Sequence, residues 1–73
     1  MKLEKVLEIA TECVNNEVIP VDGLTLKYSL DEESHKNLDE ELFYKTNNNL
    51  SSFSHKDVIE LTIGGVTFVF EME

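Results

Sequence analysis

Two short runs with an apolar residue at every second position flank a Gly-Gly pair between Val58 and Met72. No other stretch constrains the fold as much. Ile59, Leu61 and Ile63 alternate with Val58, Glu60 and Thr62. Val66, Phe68, Phe70 and Met72 alternate with Thr67, Val69 and Glu71. A period of two marks a strand with one buried face. Gly64-Gly65 permits the positive backbone angles of a two-residue hairpin turn. That turn predicts Ile63 opposite Val66, Leu61 opposite Phe68 and Ile59 opposite Phe70, all on one face. A slip of one residue would point this set into water, so the register is well specified. The other face pairs Thr62 with Thr67, Glu60 with Val69 and Val58 with Glu71. The hairpin is half of a sheet that needs a cover on one side, and it names no chemistry.

Helical spacing supplies the cover. Leu3, Val6, Leu7, Ala10, Cys13 and Val14 recur along one face from Lys2 to about Asn15, with Ile9 widening the stripe. Glu4, Glu8 and Glu12 form a second stripe on the exposed side. Like charges four apart weaken an isolated helix slightly, so packing must hold this one. Asn15-Asn16 is a stop signal. A second hairpin is expected from Val18 to Leu30, turning at Asp22-Gly23, with Val21 opposite Leu24 and Ile19 opposite Leu26. Pro20, which has no N–H, belongs on an edge strand. A second helix is predicted from about Glu32 to Phe43, carrying Leu38 and Leu42. Residues 41–46 also read as strand. Asn47-Asn48-Asn49 breaks regular structure, and Ser51 to Ser54 reads as a loop. The expected fold is α+β. One domain over residues 1–73 holds an antiparallel sheet of about four strands in two hairpins, covered on one face by one or two helices. The element order is α-β-β-α-β-β.

A chain of 73 residues buries only about 60% of the surface its unfolded form exposes, so a partner or a second copy would add useful burial. Cys13 is the only cysteine, which points to a reducing compartment. No run is long and apolar enough to span a bilayer, and no signal-peptide pattern opens the chain. A cytoplasmic protein is expected.

Charge is the second constraint. Fifteen acidic residues face six lysines and no arginine, a formal charge of -9. Such a polyanion is repelled by nucleic acid and by anionic lipid, so direct binding to either is not expected. The same field attracts basic protein surfaces, including those that hold DNA or RNA.

Catalytic readings are weak. Cys13 lies on the apolar stripe, where cysteine acts as a small hydrophobe. As a nucleophile it would need a base nearby, His35 or His55. Those histidines lack the spacing that marks a metal site. Paired carboxylates suit a small hydrolase, but a domain this short has little room for a cleft. The only Gly-Gly sits in a hairpin, with no phosphate-loop context. No catalytic, cofactor or metal residue is assigned.

Two features suggest an interaction surface. Asp31 and Glu32 begin the second helix, and Asp39, Glu40 and Glu41 follow about two turns later, partly on a shared face. Phe43-Tyr44 comes next, then Leu50 and Phe53 inside a polar stretch. Large apolar residues there either peg the loop to the core or anchor a partner. Together they would make an acidic rim around an aromatic anchor. The leading expectation is a non-enzymatic binding module that occludes a basic surface of a nucleic-acid-handling protein, in effect a nucleic-acid mimic. Small inhibitors encoded by phages and mobile elements share this profile, in size and charge rather than in particular residues. The alternative is a self-associating structural or regulatory protein, a homodimer through the edge of strand Val66 to Met72. A small hydrolase is third.

Overall fold

The computed structural model describes residues 2–44 and 50–73. Its elements are α1 (Leu3–Asn15), β1 (Leu24–Leu30), α2 (Glu32–Tyr44), β2 (Leu50–His55), β3 (Val58–Ile63) and β4 (Val66–Met72). The four strands form one sheet in the order β1-β4-β3-β2. The fold is α+β, with helices packed on a sheet.

The Gly-Gly hairpin forms in the predicted register. Ile63 pairs with Val66, Leu61 with Phe68 and Ile59 with Phe70. Gly64 and Gly65 take φ of +53° and +88°, the angles a primed turn requires. Across the open face the Thr62 and Thr67 hydroxyls lie 3.3 Å apart. On the covered face Ile59, Leu61, Val66, Phe68 and Phe70 are fully buried against Leu3, Val6 and Ala10 of α1 and Leu38 of α2. Phe70 stacks on Tyr28 of β1 at 5.5 Å between ring centres. Burying side chains of this size stabilises by roughly 1.5–3 kcal/mol each, which outweighs the glutamate repulsion along α1.

The hairpin predicted from Val18 to Leu30 does not form, and the order is α-β-α-β-β-β. Val18 to Val21 stay outside the sheet. After α1 the chain turns at Glu17, whose φ of +54° is unusual for a residue with a side chain. The Val18 N–H bonds to the Cys13 carbonyl and the Glu17 N–H to that of Val14, a Schellman-type stop. A tight turn follows, closed by the Gly23 N–H on the Pro20 carbonyl at 3.0 Å. Its central residues are Val21 and Asp22, so Asp22-Gly23 is not the tip of a hairpin. Gly23 has φ of +91°, and a Cβ there would meet the Gly65 carbonyl oxygen at 3.2 Å. The glycine lets β1 begin against the β3–β4 turn.

β1 accordingly pairs with β4, and in parallel: Leu26 with Phe68, Tyr28 with Phe70, Leu30 with Met72. The sheet is mixed, not wholly antiparallel. A parallel neighbour needs a long crossover, and α2 begins one residue after β1 ends. Leu24 donates to the Gly65 carbonyl and Glu73 to the Leu30 carbonyl, at 3.0 and 2.9 Å, fixing both ends of the pair. Strand β4, expected at an edge, is therefore interior. The edges are β1 and β2.

The stretch Ser51 to Ser54, expected as a loop, is the body of β2. It pairs antiparallel with β3: Ser52 with Leu61, Phe53 with Glu60, Ser54 with Ile59. Lys56, with φ of +55°, begins the turn into β3. α2 continues to Tyr44, so residues 41–44 are helical. The break expected at Asn47-Asn48-Asn49 falls outside the described residues.

Candidate interaction surface

Asp31 caps α2. Its carboxylate accepts the Ser34 N–H at 2.8 Å, and its carbonyl accepts the His35 N–H at 2.9 Å. The bonds from Ser34 hold the Asp31 carboxyl below its ordinary pKa, although the side chain is exposed. Glu32 beside it is exposed as well. Leu38 is buried and Leu42 half-buried, so the helix turns that stripe to the sheet. Asp39 and Phe43, one position further round, come to the margin where α2 overhangs β2.

A groove of about 330 Å³ lies there, lined by Asp39, Leu42, Phe43, Ser52, Phe53, Ser54 and Ile59. Phe43 is 79% exposed, and Tyr44, 80% exposed, meets it edge-on at 5.1 Å. Phe53 is 62% exposed. Its place opposite Glu60 puts its side chain on the uncovered face of the sheet, where it stacks on His55 at 6.3 Å. It borders the groove along the strand. Leu50 opens β2, but its role as an anchor lies outside the described residues.

The predicted site residues therefore separate. Asp39, Phe43 and Phe53 meet at one groove. Asp31 and Glu32 lie at the far end of α2, about 12 Å from Asp39 at the helical rise. Glu40 is exposed beside Asp39. Glu41 serves another purpose: its carboxylate accepts the Leu3 N–H at 2.8 Å and caps α1. The α1 N-cap residue, Lys2, offers no side-chain bond of its own. Two residues on from Asp39, Glu41 points to the other side of α2.

Ser52 and Ser54 line the groove and escaped the sequence reading, because serines on both faces of β2 hide its alternation. Extending the ladder outward from β3 would have found them. The Glu41 cap joins residues 38 apart in sequence and leaves no local signal.

His35 lies in the interior, 6% exposed, and its Nε2 has no hydrogen-bond partner among the described residues. Cys13 is half-buried at the margin of the core. Among the described residues no three His, Cys, Asp or Glu side chains converge on a point. The ion pair recorded among them, Lys5 with Glu8 at 3.8 Å, lies on exposed α1, and among the same residues no helix is long and apolar enough to cross a membrane. Comparison with family models, with curated proteins and with solved structures found no match for this chain in any of the three.

Proposed function

We propose that this chain is an acidic binding module that docks on a basic surface of another protein and blocks it, with no bond made or broken. One observation carries the reading: the acid Asp39 and the exposed aromatic Phe43 border one groove at the end of an acidic helix, with Phe53 beside it on the strand, its ring on the opposite face. Complementary charge speeds encounter, and an apolar anchor slows release. A net charge of -9 favours a partner whose own surface holds nucleic acid, in the cytoplasm, where the lone Cys13 stays reduced.

The test is affinity capture from the source cells, followed by kinetics on the captured protein. The expected partner is basic, is displaced by duplex DNA or RNA, and associates more slowly as salt rises. Reversal of Asp39 and Glu40 to lysine should weaken binding more than reversal of Glu4 and Glu8. Equal effects would take α2 out of the interface, and an on-rate indifferent to salt would remove the electrostatic mechanism. Glu41 is left out of the comparison because its carboxylate caps α1.

Self-association remains the second reading, moved from β4 to β2. That edge strand, Leu-Ser-Ser-Phe-Ser-His, carries no Asp, Glu, Lys or Pro, the residues with which exposed edges usually resist pairing.

A further inference from the structure

We infer that β2 is a receptor strand: an extended segment of the partner adds to it antiparallel, with one apolar and one basic side chain, two residues apart, entering the groove beneath α2. The inference rests on the proposed docking function and names the partner's local chemistry.

The backbone supports it first. β2 and β3 are joined by the two-residue turn Lys56-Asp57, so His55 and Val58 form a hydrogen-bonded pair. Phe53 with Glu60 and Ser51 with Thr62 continue that phase. The Met72 N–H on the Asp57 carbonyl, at 2.9 Å, sets the complementary phase on the other side of β3. The alternation then turns the N–H and C=O of Ser52 and Ser54 off the free edge. These are the groups a further strand needs. Ser52 and Ser54 also line the groove, so the partner residues opposite them share its face.

The groove supplies the side-chain preference. Leu42, Phe43 and Ile59 offer apolar surface, and Asp39 adds a carboxylate with no ion-pair partner among the described residues. An apolar and a basic residue at alternate positions satisfy both. A second copy of this chain fits less well, because it brings -9 against -9 and β2 itself would offer serines at those positions.

The probe is a ten-residue peptide in which leucine and lysine alternate with threonine, followed by amide NMR of the full chain in low salt. Binding is expected to shift the amides of Ser52 and Ser54 and to slow their exchange. N-methylation of the leucine and lysine should weaken binding about tenfold or more, since it removes strand hydrogen bonds. N-methylation of the threonines, which face away from β2, should leave it largely intact. Ser52→Pro removes an outward N–H without a β2–β3 bond and should also cost about tenfold. Asp39→Asn should cost about threefold, as a partly exposed charge contact does. Equal binding of both methylated peptides overturns strand addition and leaves acidic docking standing. No binding of any lysine peptide overturns both. β2 amide shifts that grow with protein concentration alone would assign the edge to a second copy and overturn the inference.

Discussion

Strands β3 and β2 lie side by side, yet they meet the covered face of the sheet differently. β3 presents Ile59 and Leu61, both fully buried, beneath the helices. β2 presents Ser52 and Ser54, both exposed, and its one described large apolar side chain, Phe53, turns to the uncovered face. β3 contributes to stability through burial. β2 satisfies the edge of β3 and leaves its own edge open. Surface that adds little to folding can be spent on recognition, and the exposed aromatics Phe43, Tyr44 and Phe53 all lie at this margin.

Stability measurements on matched variants would break or sharpen that contrast. The largest difference is expected between two phenylalanines. Phe68→Ala should cost about 3–5 kcal/mol by opening a cavity, a large part of what a domain of this size has. Phe53→Ala should stay within about 0.5 kcal/mol of the parent in urea unfolding. A comparable loss at Phe53 would make β2 part of the core.

His35→Leu tests whether the interior of α2 is optimised. It removes a buried nitrogen that has no partner among the described residues, so a gain of about 1 kcal/mol is expected from the same unfolding curves. A loss would mean that a bound water or another group satisfies Nε2.

Glu41 cuts across the comparison, since it belongs to α2 and caps α1. Glu41→Ala should cost about 1 kcal/mol, the usual effect of losing a cap, while Glu40→Ala should change little. Hydrogen exchange of the first turn of α1 would report the difference directly. Equal costs would deny Glu41 its capping role.

The smallest effect concerns pH. Asp31 has a lowered pKa in the folded chain because of its bonds from Ser34. A carboxyl lowered on folding stabilises above its unfolded value, near 3.9, and loses that contribution as pH falls through the folded value. Asp31→Ala should be less stable at neutral pH and show a shallower acid loss below about pH 4. Urea midpoints from pH 7 down to 3 would show whether the two curves converge as expected.

The hairpin from Val58 to Met72 was legible in full, because alternation, turn residues and burial all repeat within fifteen consecutive positions. α1 was legible for the same reason, since helical spacing is a local property. Asp22-Gly23 misled because one dipeptide serves two ends. It can turn a hairpin, or it can clear space for another part of the chain, here the Gly65 carbonyl. β2 was illegible because its serines show no contrast between faces. Of the proposed surface, Asp39, Phe43 and Phe53 could be named from sequence, but Ser52, Ser54 and Ile59 could not.

By itself the sequence determined the elements whose signals lie within a few residues: the charge, both helices, the Gly-Gly turn and the buried face of the sheet. Tertiary structure alone decided that β1 runs beside β4, that β2 takes the edge, and that Glu41 caps a helix begun 38 residues earlier. The physical reason is range. Side-chain periodicity and turn chemistry act over one or two turns of chain, whereas strand order and capping across elements depend on which surfaces meet once the core has closed.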